Sequence, residues 1–414
     1  MATSMEMSYK VLVLGGTGFI GRNLVDFLVD NSLVKKIRVV DKVPPQMAWL
    51  NTKHSQSFSS PKVEFKHSNL IHMSSAEKVF CDDDGEFDFV INLAAETKYG
   101  QTEPVYKEGI ERLSLNCAEV AARHKVKMFV EVSTGQVYPG DKKAMVEESH
   151  VDPWTNLAKH KLEVEKSLAS FGSDFNYVIV RPAIVYGLGD RNGLTPRIII
   201  GSIYRYIRQK MQMLWTKDLH MSTVHVEDVV RALWHLCLHG SRGQVYNLAD
   251  KGSTTQGLVS SLVSELFNIN YDFLGSVMSN LARVRMSDVV DDINEKHMQP
   301  WSDACQRDGI VNTPLTPFID QELLYNKHLN IDGTKIETTG FSYTHRHLEL
   351  NSLRQILDDY IQLGLLPASL VGSDVYYSRP DVDLLQAGAG ALHLGGDGDS
   401  EDVEDEARGE NLGS

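Results

Sequence analysis

The chain has 414 residues, 42% hydrophobic and 23% charged, with a formal net charge of -14 at pH 7. That length buries a large core, and the acidic excess argues against broad electrostatic binding to nucleic acid or an acidic membrane surface. Four scattered cysteines, Cys81, Cys117, Cys237 and Cys305, form no C-x-x-C pair, so neither a metal site nor a disulfide framework is expected.

The N-terminal stretch MATSMEMSYK lacks the apolar core of a signal peptide, and no apolar run reaches the length of a membrane span. The expectation is a cytoplasmic protein. Val11 to Leu14 form a β-branched apolar run suited to a buried strand. Gly15, Gly16, Gly18 and Gly21 make a glycine turn, and Phe19, Ile20, Leu24, Val25, Phe27 and Leu28 return at helical spacing. A strand, a glycine turn and a helix in that order cradle a dinucleotide. Gly15 permits the tight turn, Gly18 lets the backbone approach a pyrophosphate, and Gly21 lets the helix pack closely on the strand. Thr17, Phe19 and Ile20 complete the turn. A second strand, Ile37 to Val40, ends in Asp41, placed to accept hydrogen bonds from an adenosine ribose and to repel a 2′-phosphate. NAD is therefore expected in preference to NADP.

Val63 to Lys66 reads as a short strand, followed by Asn69 at an adenine edge and a helix over Ser75–Phe80. Phe87 to Leu93 is a strand running into Ala94 and Ala95, small enough for a cofactor to lie close. Pro104 to His124 reads as one helix. Met128 to Val132 is a strand ending at Thr134, Leu157 to Phe171 a helix, and Tyr177 to Val180 a strand. This alternation predicts an α/β fold, a doubly wound parallel sheet. Helices over Pro196–Arg208, His225–His239 and Thr255–Phe267 and a strand over Gln244–Leu248 follow. Residues 270–350 yield only a helix within Met286–Cys305, and Asn351 to Leu363 is an amphipathic final helix. The expected organisation is a dinucleotide-binding domain over 9–180 and a substrate-binding part over 181–371, some of whose strands return to the sheet. A disordered acidic tail over 372–414 is expected to follow.

The segments GGTGFIG, NLAA at 92–95, VSTGQVY at 132–138, HKLEVEK at 160–166, VRPAIVYGLGD at 180–190, TVHVEDVVRAL at 223–233 and QVYNL at 244–248 occur in one order. Together they resemble the extended short-chain dehydrogenases/reductases, the NAD-dependent epimerase/dehydratase family, over roughly residues 9–270. The resemblance implies a Ser/Thr, a Tyr and a Lys as the catalytic set, the last two spaced Y-x-x-x-K on one helix face.

Thr134 and Lys161 match two members of that set. The tyrosine position is Leu157, which has no proton to give; the alternative register, Lys159 with Thr155, also lacks a phenol and breaks the K-L-x-x-E match. Tyr99 is the first candidate to replace it and Tyr138 the second, while His160 is expected to face away. Leu93, Ala94, Ala95 and Lys161 join the cofactor contacts. Arg181, Arg191 and Arg197 are the substrate-contact candidates, Arg181 with an equal claim to a purely structural role, and Trp215 stands beside them; His225 and Asp228 read as helix-start residues. The expectation is an NAD-dependent epimerase, dehydratase or dehydrogenase acting on a nucleotide-sugar or another hydroxylated small molecule, with a homodimer as the candidate assembly. The alternative is an NAD-binding sensor or scaffold without turnover.

Overall fold

Seven parallel strands form the central sheet of the computed structural model, which describes residues 9–82, 85–275, 279 and 284–372. They are β1 (Lys10–Leu14), β2 (Lys36–Asp41), β3 (Val63–His67), β4 (Phe89–Asn92), β5 (Met128–Val132), β6 (Tyr177–Pro182) and β10 (Val245–Leu248), in the order β10-β6-β5-β4-β1-β2-β3. The expected strands are all present, and the last lies in the second half of the chain, at the edge of the sheet. The acidic tail falls outside the described residues beyond Gly372.

The run Val11 to Leu14 shows why the sheet is covered on both faces. Side chains alternate along a strand. Val11 and Val13 enter one core with Leu24, Val25 and Leu28 of helix α1 (Phe19–Asp30). Leu12 and Leu14 enter the opposite core with Tyr106, Ile110 and Phe129. All four strand residues are fully buried, which is why the run lacks polar alternation.

Helix α2 (Thr52–Phe58), which the serine-rich composition concealed, is capped by Asn51, whose side chain accepts from His54 N. Helix α3 (Met73–Phe80) stands where the sequence placed one. The segment read as one helix over 104–124 is three pieces. A short helical turn, α4 (Glu103–Tyr106), passes through a π-helical turn at Lys107–Arg112 into α5 (Leu113–Arg123). A π turn adds a residue to the ladder and shifts the register of the residues after it.

Past β6 the chain builds a cap over the C-terminal ends of the strands. Two small parallel pairs, β7 (Ile184–Tyr186) with β9 (Thr223–His225) and β8 (Met211–Met213) with β11 (Tyr271–Phe273), organise it. Around them stand α7 (Thr195–Tyr206), α8 (Val226–His239), α9 (Gln256–Phe267) and α10 (Met286–Arg307). In the main sheet the direction of winding reverses between β1 and β4, the place where a parallel sheet leaves a crevice.

Candidate active site

That crevice opens into a cavity of about 1180 Å³ along the C-terminal ends of β1, β2, β4, β5 and β6. Gly15, Thr17, Gly18, Phe19, Ile20 and Gly21 line it, as do Asp41, Asn69, Leu93, Ala94 and Ala95. Gly15 has φ +76°, its N–H donates to Val40 O at 2.7 Å, and a Cβ there would fall 2.6 Å from Ala94 N. A side chain at Gly18 would meet one protein atom, Gly15 O at 3.1 Å, and otherwise enter the cavity. A Cβ at Gly21 would lie 2.5 Å from Gly15 O and Gly16 Cα, so its absence lets the start of α1 close onto the turn that follows β1.

Asp41 closes this end. Its Oδ2 accepts from Thr17 N at 3.2 Å and its Oδ1 from Val43 N at 3.0 Å, and each carboxylate oxygen keeps further acceptor capacity for a ribose hydroxyl. These residues fit NAD. Arg22, immediately after the glycines, escaped sequence reading although the segment GFIGR displays it. Its guanidinium donates to Thr17 O at 2.7 Å, Ala48 O at 2.8 Å and Trp49 O at 2.9 Å, bracing the turn from below. Burial lowers its pKa to about 10. Arg191 donates to the same Ala48 O at 3.1 Å and lies over the Trp49 ring, so two cations flank the phosphate cradle.

The middle of the cavity brings together Thr134, Leu157, Lys161, Tyr99 and Gln136. Thr134 ends its strand and accepts from Gln136 N at 3.2 Å. Helix α6 (Asn156–Ala169) starts at Thr155, whose hydroxyl accepts from Ala158 N. This start sets the register: Leu157 and Lys161 line the cavity, whereas Lys159 is exposed and donates to Asn156 Oδ1 at 3.1 Å. Lys161 Nζ donates to Val132 O at 2.7 Å and Glu131 Oε1 at 3.2 Å. Glu131 is fully buried and also accepts from Asn92 Nδ2 at 2.6 Å and Ser114 Oγ at 3.2 Å. Burial raises its pKa against the pull of Lys161. Sequence reading missed this carboxylate; the signal was a charged residue inside the apolar run MFVEV.

Tyr99 donates from its hydroxyl to Gln136 Oε1 at 3.0 Å, and the same oxygen accepts from Thr155 Oγ1 at 3.0 Å. Burial pushes this phenol well above its ordinary range, and no cation is hydrogen-bonded to it among the described contacts.

Arg181 is not a substrate contact and takes the structural of its two expected roles. It does not line the cavity; it is buried against Glu165, 2.5 Å from Nη2 to Oε2, and donates to Tyr138 Oη at 2.9 Å. Tyr138 in turn donates to Asn247 Oδ1 at 2.9 Å, so both are part of the framework between β5, β6 and β10. His160 also faces away from the cavity, against Glu111 and Glu103. His225 caps α8 through Glu227 N, and Asp228 accepts from Thr344 N and His345 N. His225, Glu227 and His345 bring potential ligand atoms within 4.8 Å of one another away from the cavity. The cap and a 2.8 Å His345–Glu227 contact account for that arrangement.

The far end of the cavity is built by Arg197 and Ile200 of α7, Met211 and Met213 of β8, Val259, Ser260 and Val263 of α9, and Ile293 and His297 of α10. Trp215 lines it too and donates to Leu324 O at 2.8 Å. Arg197 donates to Gly193 O at 3.3 Å, no carboxylate hydrogen-bonds it among the described contacts, and burial lowers its pKa to about 10. Asn294 and Ile319 exchange two hydrogen bonds, of 3.0 and 2.9 Å, which tie α10 to the following loop. Glu322 of that loop accepts from Asn156 N at 2.9 Å, at the first turn of α6.

A profile described as the NAD dependent epimerase/dehydratase family matches residues 11–249. Among curated proteins, the chain is 25% identical over 293 residues to the uncharacterized protein PB2B2.11 of Schizosaccharomyces pombe, covering 64% of this chain and 78% of that one. It is 24% identical to a putative UDP-glucose 4-epimerase of Methanocaldococcus jannaschii, covering 63% and 80%. Among solved structures, a UDP-N-acetylglucosamine 4-epimerase from Methanobrevibacter ruminantium superposes with a TM-score of 0.61 at 17% identity, covering 86% of this chain and 99% of that one. A dTDP-glucose 4,6-dehydratase from Streptomyces venezuelae superposes with a TM-score of 0.62 at 15% identity, covering 85% and 97%.

Proposed function

The chain belongs to the NAD-dependent epimerase/dehydratase family, and we propose that it binds NAD and uses it to oxidise or epimerise a nucleotide-sugar at a carbinol carbon, without the tyrosine usual to such sites. The observation that carries this reading is a single cavity that runs from the glycine turn, past Thr134 and Lys161, to Arg197. Relatives and structural neighbours named as nucleotide-sugar epimerases and dehydratases support the substrate class.

Gly15, Gly18 and Gly21 would hold the pyrophosphate at the start of α1, and Asp41 the adenosine ribose. Bound there, the nicotinamide would supply a hydride acceptor and donor. Thr134 accepts from Gln136 N, which leaves its own hydroxyl hydrogen for the substrate oxygen. Lys161 spends two donors on Val132 O and Glu131, and its third is left for a ribose or substrate hydroxyl. Tyr99 supplies the proton. It would give its proton to a ketone oxygen in the reducing direction and, as the phenolate, take the alcohol proton in the oxidising one; the raised pKa favours giving over taking. Arg197 would take the substrate diphosphate, which gives a buried cation an anionic partner.

Titration calorimetry with NAD, followed by UDP-glucose and dTDP-glucose in the presence of NAD, tests the binding half. NADH absorbance with the binding sugar tests turnover, with Tyr99→Phe expected to lower the rate by about a hundredfold. NAD binding without sugar binding or turnover would sink the enzyme reading. It would favour the second reading, a nucleotide-binding protein without catalysis, to which Leu157 and the charge pairing of Lys161 lend support.

A further inference from the structure

Helix α10 lies beyond residues 11–249, the part of the chain that matches the family profile, yet it lines the same cavity. It contributes Ile293 and His297. His297 is 2% exposed, and neither ring nitrogen has a hydrogen-bond partner. Ser260 of α9, 1% exposed, lines the cavity too, and its Oγ is likewise unpartnered.

Two unpartnered polar side chains in the lining of one cavity ask for an explanation. Leaving a buried donor or acceptor unmatched costs about 1–3 kcal/mol, and folded proteins rarely leave such groups unmatched. The surroundings are well suited to an apolar residue at 297: Tyr204 packs its ring edge-on at 5.4 Å, and Met211, Met213, Val259 and Val263 line the chamber. A leucine or phenylalanine would serve packing at least as well. Among the described residues, the nearby charge acting on His297 is that of Lys296, and burial with this cation lowers the imidazole pKa to about 4. The ring is therefore neutral at physiological pH. It offers one donor and one acceptor and no charge.

We infer that His297, together with Ser260, recognises an uncharged hydrogen-bonding group of the substrate, a hydroxyl or an amide-type edge on an otherwise apolar or flat body, and that α10 is a specificity element of this cavity. The inference rests on the reading of the cavity as a nucleotide-sugar site. It adds to that reading a determinant supplied by a segment outside the matched residues. Arg197 handles the anionic part of the ligand, whereas His297 and Ser260 discriminate among neutral groups. A polar site of this kind rejects a ligand that lacks the matching group, because its own groups then stay unpaired.

The test compares full-length wild type with His297→Leu, His297→Asn and Ser260→Ala. The readouts are the melting temperature alone, the shift with NAD, and the Kd of UDP-glucose and of dTDP-glucose with NAD present. His297→Leu is expected to melt no lower than wild type, to keep its NAD shift, and to bind the sugar nucleotide about two- to tenfold more weakly. His297→Asn should recover part of that loss, and Ser260→Ala should lose affinity in the same way. A His297→Leu protein that melts several degrees lower and binds the sugar nucleotide normally would overturn the inference, since the histidine would then be a packing residue. If wild type binds NAD but neither sugar nucleotide, the nucleotide-sugar reading fails. The melting temperature then decides for His297 alone: a gain on His297→Leu keeps it as a recognition group held at a cost to the fold, and a loss overturns it.

Discussion

The ammonium of Lys161 lies 3.2 Å from the carboxylate of Glu131, beneath a cavity wall in which Leu157 stands where a phenol would complete the set. Both partners are nearly or fully buried, so neither charge is free to exist alone. Lys161→Ala strands Glu131 and is expected to cost about 3 kcal/mol of stability. The double variant Lys161→Met/Glu131→Gln removes both charges and should return to within about 1 kcal/mol of wild type. Urea unfolding of Lys161→Met, Glu131→Gln and the double variant measures the coupling; additive losses would show that the pair is not coupled.

Leu157→Tyr places a phenol one turn before Lys161 on the same helix face. General acid–base catalysis contributes about 10²–10⁴-fold, and a grafted phenol is expected to recover at least about tenfold in turnover of the sugar nucleotide that binds. Lys159→Ala should change nothing, because its side chain is exposed and bonded to Asn156. Steady-state rates of Leu157→Tyr, Lys159→Ala and Lys161→Ala decide it; an effect of Lys159→Ala larger than that of Lys161→Ala would overturn the register.

Gly18→Val fills space that the cavity needs and should abolish NAD binding, whereas Asp41→Ala should weaken NAD and narrow its advantage over NADP. Calorimetric titration of both nucleotides against each variant is the measurement. Equal affinity of Asp41→Ala and wild type for NAD would remove Asp41 from the ribose contact.

The depressed pKa of His297 has a pH signature. The unfolded imidazole takes up a proton near pH 6.5, the folded one only near pH 4. Between those values the unfolded state binds more protons, so the contribution of this residue to stability is present above pH 6.5 and is lost as pH falls toward 4. His297→Leu cannot titrate. Its stability relative to wild type should rise as pH drops through that window, as read by urea midpoints at pH 7, 6 and 5. A difference that stays flat with pH would mean that the folded ring titrates normally.

Arg181→Met tests the correction made to that residue. It leaves Glu165 buried without its guanidinium and should lower the melting temperature, with the KM for the sugar nucleotide unchanged. A raised KM at an unchanged melting temperature would restore Arg181 as a substrate contact.

The sheet was legible because its strands are continuous apolar runs and its first turn needs glycines that nothing else can replace. Gly15 illustrates this: its positive φ and the 2.6 Å approach to Ala94 admit no side chain. The register of α6 was legible from HKLEVEK, and the structure puts Leu157 and Lys161 on the cavity and Lys159 outside it. Arg181 stayed open between substrate contact and structural role because the motif around it locates the strand and not the direction of the side chain; that direction is set by Glu165, sixteen positions away in sequence and adjacent only in the fold. Glu131 was passed over because a charge in a buried strand has no local signal for its partner. The helix within Met286–Cys305 was legible and stands as α10, but its place in the cavity wall, and that of the loop after it, was not. The wall's contacts, such as Asn156 with Glu322, join residues 166 positions apart, and no periodicity encodes them.

Those long-range contacts also order events in time. Domains emerge from the ribosome from their N-terminal end, and contacts between distant residues must wait until both ends exist. The glycine turn, Asp41, Thr134 and Lys161 all lie within the first 161 residues, whereas the bonds to Glu322 and Leu324 close only after a further 160 or so have been made. A growing chain therefore holds its dinucleotide cradle before its substrate chamber has a far wall. The wall is assembled last, by a segment that contributes no strand to the seven-stranded sheet. A new substrate preference could thus arise late in the chain, on a cofactor platform that has already folded.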